Sequence, residues 1–173
     1  MALHIIVDGY NLIRQSAYLS EVENQDLQLG REALIDQLAA YKQVRGHAVT
    51  VVFDGTRAPH DARQKNYTRG IEVIYSRRGE LADTVIKSMA ARERQQALVV
   101  SSDRAVADFC AARGSATLSS PEFEQRLMLT VAGGSRDTGY DACDGWTPST
   151  RKKGPRRKPS KRERRRRRKI AKL

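Results

Sequence analysis

Short apolar runs alternate with helical patterns along residues 3–131. Residues 3–7 predict a buried strand that stops at Asp8-Gly9. Residues 47–53 (HAVTVVF) are β-branched and apolar to the end, the clearest strand signal in the chain, and Ile71–Tyr75, Ala97–Val100 and Ala116–Leu118 are shorter versions of it. Between them, Leu34, Leu38 and Tyr41, with Ile35 alongside, put an apolar stripe on a helix over residues 29–44. Leu81, Val85 and Met89 do the same over residues 81–94. Residues 103–113 predict a helix closed by Gly114 at its C′ position. Ser120 as N-cap and Pro121 at N1 open a last helix through Phe123, Leu127 and Val131. Strands alternating with helices predict an α/β fold whose central, mainly parallel sheet is covered on both faces.

The pattern ends near residue 132. Residues 133–150 are rich in Gly, Ser, Thr, Asp and Pro and read as a linker, and residues 151–173 as a basic, low-complexity tail without a core of its own. Charge sharpens this division of 1–132, 133–150 and 151–173. The 173 residues carry 32 Lys and Arg against 20 Asp and Glu, a net of +12; 15 of those cations and one Glu lie after Thr150, so the tail holds +14 and the remainder −2. No apolar run reaches the ~18 residues of a membrane span, so no membrane partner is expected. The N-terminus lacks a basic region before its apolar stretch, which argues against a signal peptide. Cys110 and Cys143 make neither a disulfide framework nor a four-thiolate zinc site, so no disulfide partner is expected and a reducing cytoplasm is the simplest location.

The aspartates give the chemistry. Asp8 follows Ile5-Ile6-Val7, Asp54 follows Val51-Val52-Phe53, and Asp103 follows Val99-Val100-Ser101-Ser102. In an open parallel sheet, residues just past the strand ends line one crevice. Neighbouring carboxylates repel and raise each other's pKa unless a cation sits between them, and hard oxygen ligands favour one or two Mg²⁺ or Mn²⁺ ions over zinc. Asp83, off the apolar stripe and in the first turn of its helix, joins this set, with Asp108 as a candidate outer member. The blander roles are an N-cap for Asp103, a helix-dipole partner for Asp83, a turn residue for Asp54 in Asp54-Gly55, and a solvated face for Asp108. Asn11 is placed to cap the first helix and to reach a metal-bound water or a phosphate.

The segment Ile5-Ile6-Val7-Asp8-Gly9-Tyr10-Asn11-Leu12-Ile13 resembles the opening of the YacP-like NYN-domain nucleases, a PIN-like family. Val51-Val52-Phe53-Asp54 resembles that family's second acidic strand, Gly79-Glu80-Leu81-Ala82-Asp83 its helix-borne acid, and Val99-Val100-Ser101-Ser102-Asp103 its later strand-end acid. Leu81 departs from the pattern, where a small polar residue is expected. The resemblance covers about residues 3–131 and leaves out the basic tail. It implies a PIN-like three-layer α/β/α fold, divalent-metal-dependent ribonuclease activity and association with the ribosome. The box Val52-Phe53-Asp54-Gly55-Thr56 also looks like that of haloacid-dehalogenase phosphatases, but their aspartyl nucleophile falls at position 52, which is Val.

Two basic regions point to RNA. Arg57, Arg63, Lys65, Arg69, Arg77 and Arg78, interleaved with His60, Tyr67 and Tyr75, suit a single strand, whose phosphates meet cations while its bases stack. Residues 57–70 show no apolar periodicity and read as a mobile loop beside the crevice. In the tail, the unbroken run Arg164, Arg165, Arg166, Arg167, Arg168 and Lys169 repels itself into an extended, disordered chain until it meets a polyanion. The sequence therefore predicts a metal-dependent endoribonuclease acting on single-stranded mRNA at the ribosome, with Asp8, Asp83 and Asp103 as ligands, Asp54 and Asp108 as auxiliaries and Asn11 as polar support. The alternative is a catalytically silent RNA- or ribosome-binding protein of the same fold; the full set of acids argues against it, since negative charge repels phosphates.

Overall fold

The computed structural model describes residues 3–55, 62–133 and 160–173. One six-stranded sheet runs through it in the order β3-β4-β2-β1-β5-β6. The strands are β1 (His4–Asp8), β2 (Ala48–Phe53), β3 (Gln64–Thr68), β4 (Ile71–Tyr75), β5 (Ala97–Val100) and β6 (Ala116–Leu118). All neighbours pair in parallel except β3, which lies antiparallel to β4 on the outer edge.

Alternation within the strands divides the core in two. Ile5, Val7, Val51 and Phe53 face one side, under α1 (Gly9–Gln15), α3 (Leu27–Arg45) and α6 (Ser120–Ala132). Ile6, Val52, Ile74 and Val99 face the other, under α4 (Ala82–Glu93) and α5 (Arg104–Ala112). The result is the predicted three-layer α/β/α arrangement. From β1 the chain moves outward through β2 to β4, then returns to place β5 on the opposite flank of β1. Ligand crevices of open α/β sheets form at such a switch point, beyond the carboxyl ends of the strands.

Three regions differ from the sequence reading. Residues 17–25 form an extra helix, α2 (Ala17–Gln25), capped by Ser16 and hairpinned onto α3. Its weak apolar stripe hides it, and the close crossing depends on Gly30, where a Cβ would stand 2.9 Å from the Glu23 backbone. Residues 64–68, read as part of a loop, are strand β3. Its turn to β4 uses Arg69 (φ 52°) and Gly70 (φ 79°), the left-handed pair of a type I′ hairpin, with Arg where Asn is usual. Ser119, not Ser120, caps α6, in a capping box with Glu122.

The largest correction is at the C-terminus. Residues 160–173, expected as part of a disordered tail, form helix α7 (Lys161–Ile170) and dock against β6. Ser160 Oγ accepts the Glu163 N–H at 3.2 Å, and Arg167 pairs with Glu163 one turn earlier at 3.0 Å. Leu173 is only 3% exposed, Ile170 packs on the same core, and Arg126 donates to the Ile170 carbonyl at 3.0 Å. Arg166 Nε donates to the Thr117 carbonyl at 3.2 Å, so even the cationic run supplies a docking contact. Two apolar residues three apart and long aliphatic stems suffice for this packing. Residues 151–159 lie outside the described residues, as does the linker beyond residue 133. Among the described residues no helix is long and apolar enough to cross a membrane.

Candidate active site

Asp8 ends β1, between β2 and β5, and caps α1: its carboxylate accepts the Asn11 N–H at 3.2 Å and the Ser101 hydroxyl at 3.2 Å. The strand-to-helix turn passes through Gly9, where a Cβ would fall 2.3 Å from the Phe53 ring. The Asp8 side chain is buried, and burial pushes its pKa from 3.8 to about 6; the charges of Asp83 and Asp103 push the same way, while the two hydrogen bonds oppose them. Asp103 caps α5 through the Val106 N–H at 3.0 Å, and its own N–H donates to Ser101 Oγ at 3.2 Å. Ser101 thus ties the two acids together.

Asp83, in the first turn of α4, stands 3.8 Å from Lys87. Its pKa is raised, first by burial, with Lys87 opposing and Asp103 and Asp54 reinforcing. Asp54, just past β2, lies 3.4 Å from Ser76 Oγ, which accepts from the Gly55 N–H at 2.9 Å and donates to the Glu80 carbonyl at 2.6 Å. Asp8, Asp54, Asp83 and Asp103 line one cleft of about 620 Å³. Leu81, exposed at the N-cap of α4, lines it too and leaves that helix without a side-chain cap.

Asn11 does not cap α1; it lies within the helix. Its Oδ1 accepts from the Ser102 N–H at 2.9 Å, the Ser120 hydroxyl at 2.7 Å and Gln15 Nε2 at 3.2 Å. It therefore fastens α1 to the β5–α5 loop and to the start of α6, and it lines the cleft.

Asp108 is outside the site. Five positions beyond Asp103 is about 140° around a helix, and Asp108 is exposed beside Arg104 at 3.8 Å. The basic residues of 57–78 are also elsewhere. Arg63 and Arg77 converge on Glu80, Lys65 pairs with Glu72 at 2.5 Å, and Arg69 pairs with Asp36. Arg78 is exposed in the turn after β4, and Arg57 lies outside the described residues. Arg164–Lys169 sit on α7, against the N-terminal side of the sheet. Instead, the cations lining the cleft are Arg14 and Arg31, beside Tyr10. Both arginines fall on helical segments, where a sequence reads them as solvent-facing; only their spacing from the Asp8-Gly9-Tyr10 turn hints otherwise.

A mixed sheet with acids from four separate elements converging beyond its carboxyl edge defines a PIN-like nuclease fold. A family model described as YacP-like NYN domain matches residues 5–168, so the chain belongs to the YacP-like NYN family. The match runs into α7. A curated relative, the uncharacterized protein YacP of Bacillus subtilis (strain 168), is 31% identical over 86 residues, half of each chain. The crystal structure of Rae1 (YacP) from Bacillus subtilis superposes with a TM-score of 0.62 at 28% identity, covering 77% of this chain and 76% of that one. The crystal structure of a tryptophan-to-leucine mutant of Rae1 gives 0.63 at 26%, covering 75% and 76%.

Proposed function

We propose that the protein is a divalent-metal-dependent endoribonuclease of the cytoplasm that cleaves single-stranded RNA, with ribosome-engaged mRNA as its substrate. The observation that carries this is the convergence of Asp8, Asp54, Asp83 and Asp103 on one cleft, with Asp8 buried and pushed to about pKa 6. A carboxylate held in that state is relieved by a cation. Among the described residues no three His, Cys, Asp or Glu form a ready-made cage. That donor set fits Mg²⁺ or Mn²⁺, which keep several waters and need only one or two carboxylates. Asp8, Asp83 and Asp103 would hold the ion, with Asp54 as an auxiliary. The ion, when bound, lowers the pKa of a water for in-line attack and offsets charge on the phosphorane-like transition state.

The chain's own groups do the rest. Ser101 keeps the Asp8 and Asp103 carboxylates in register, and the Asn11 amide presents N–H donors to a phosphate. A volume within the roughly 300–1,000 Å³ of small-ligand pockets has room for a nucleotide or two of a single strand. The cations of α7, which suit a polyanionic surface, support the ribosome as the setting. The test is incubation of the full chain with labelled single-stranded RNA, with Mn²⁺ or with chelator, and then with ribosome-bound transcripts. Metal-dependent internal cuts, restricted to fewer positions on ribosome-engaged mRNA, are the expected result. No cleavage under any metal condition leaves the binding-only reading.

A further inference from the structure

Four aspartates make the cleft hostile to a polyanion, and metal at the scissile phosphate does nothing for the phosphates on either side. The opposite wall answers this. Arg31 stands 5.4, 5.7 and 5.5 Å from the ring centroids of Tyr10, Phe53 and Tyr75. Those rings come from the first turn of α1 and the ends of β2 and β4, packed edge-on (Tyr10–Phe53, 5.2 Å) and stacked (Phe53–Tyr75, 5.7 Å). Arg31 Nε donates to the Tyr10 hydroxyl at 2.8 Å, a second nitrogen also reaches that hydroxyl, and the third reaches Gln28 at 3.5 Å. Arg14 adds a second guanidinium 5.6 Å from the Tyr10 ring.

Elsewhere on the molecule the arginines of β3 and its flanks are each spent on a carboxylate. Arg14 and Arg31 have no carboxylate ion pair among the described residues, though both line a cleft with four acids. An arginine that merely staples α3 to the sheet has no reason to stay unneutralised at that edge. A guanidinium backed by rings keeps its in-plane N–H groups fixed and weakly hydrated, the arrangement that recognises phosphate.

We propose that Arg31, seated on the Tyr10–Phe53–Tyr75 rings, and Arg14 beside it form a clasp for the phosphate neighbouring the scissile bond of a single-stranded RNA. This rests on the nuclease reading above for its substrate. The clasp binds; it takes no part in bond cleavage.

The experiment measures binding of a fluorescein-labelled, mixed-sequence oligoribonucleotide to the full chain in chelator, at several salt concentrations, for wild type, Arg31→Met, Arg31→Lys and Arg14→Gln. Arg31→Met weakens binding about 10-fold or more, as loss of a charged hydrogen bond does. It also flattens the slope of log K against log[salt] by about 0.7, one single-strand phosphate contact. Arg31→Lys recovers part of the affinity, and Arg14→Gln shows a smaller loss with the fold intact, since Arg14 is exposed. In Mn²⁺, KM rises while kcat stays within about threefold, the mark of lost uniform binding. Wild-type affinity and slope in both Arg31→Met and Arg14→Gln overturn the clasp; if Arg31→Met fails to fold, Arg14→Gln alone decides. Because binding is read without metal, the two claims separate. A wild type that never cuts RNA yet loses affinity on these substitutions sinks the nuclease reading and keeps the clasp. Normal cleavage with unmoved affinity does the reverse.

Discussion

The two ends of the sheet carry opposite charge and are built differently. At the carboxyl end, Asp8, Asp54, Asp83 and Asp103 come from four elements far apart in sequence: Asp8 and Asp103 cap helices and share Ser101, Asp54 lies beside Ser76, and Asp83 stands near Lys87. At the amino end, α7 presents Arg164, Arg165 and Arg168 to solvent from one continuous helix, held by Leu173, Ile170 and four hydrogen bonds to carbonyls. The parallel strands between them are five or so residues long, which sets the ends roughly 15 Å apart. That exceeds a Debye length at physiological salt, about 8 Å, so solvent-exposed cations on α7 are largely screened from the cleft. The proposed chemistry and the proposed anchoring are therefore separable by mutation.

The largest effect belongs to the acid end. Asp8→Asn or Asp83→Asn should lower the metal-dependent cleavage rate by at least ~100-fold, with an unchanged circular-dichroism spectrum. Wild-type rates in both would break the comparison at its root. The same Asp8 substitution has a second, opposite signature. Since the folded-state pKa of Asp8 is raised from 3.8 to about 6, the folded protein binds that proton more tightly than the unfolded chain does. Metal-free stability is therefore full below about pH 4 and falls as pH rises through about 6, by up to ~3 kcal/mol for a two-unit gap. An asparagine amide at this position does not titrate and has nothing to lose over that window. Melting curves in chelator across it should converge at low pH and favour the mutant at neutral pH.

The anchor end comes next. Leu173→Ala should cost about 2 kcal/mol or more, because the side chain is nearly fully buried. Replacing Arg164, Arg165 and Arg168 together by Gln should leave the melting temperature in place. It should flatten the salt dependence of single-stranded RNA or ribosome binding by up to ~2 units, at about 0.7 per phosphate contact, with kcat on saturating short RNA unchanged. An unmoved slope would mean these cations meet no phosphate.

This contrast also explains what is legible in the sequence. The acid edge is written locally: each aspartate stands immediately after an apolar run or in a helix's first turn, so the strand pattern carries its position. The helix α7 is not. A row of arginines has no periodicity, and its docking turns on Ile170 and Leu173 meeting a surface assembled from β6, α6 and the residues before β1 and β2. The cleft's cations are hidden for the same reason. Arg31 reaches the site only because α3 brings it over rings from the start of α1 and the ends of β2 and β4, a tertiary fact with no local signature. Asn11 shows the intermediate case: its neighbourhood is predictable, while its bonds to Ser102 in the β5–α5 loop and Ser120 of α6 are not.

The smallest predicted effect tests the boundary of the acidic site. Asp108 is an acid in the right helix, five residues after Asp103, and a count of carboxylates alone would include it. Its side chain is 78% exposed and stands beside Arg104 rather than over the cleft. An exposed i,i+4 pair is worth about 0.3–0.5 kcal/mol, so Asp108→Asn should shift the melting temperature by a degree or two at most. Cleavage should stay within about twofold of wild type and keep the same Mn²⁺ dependence, since the residue neither holds the ion nor faces the strand. A loss approaching that of Asp83→Asn would place Asp108 in the machinery after all. It would also require α5 to rotate by a large fraction of a turn when RNA binds, which breaking the Asp103–Val106 cap would reveal as faster amide exchange at the start of that helix.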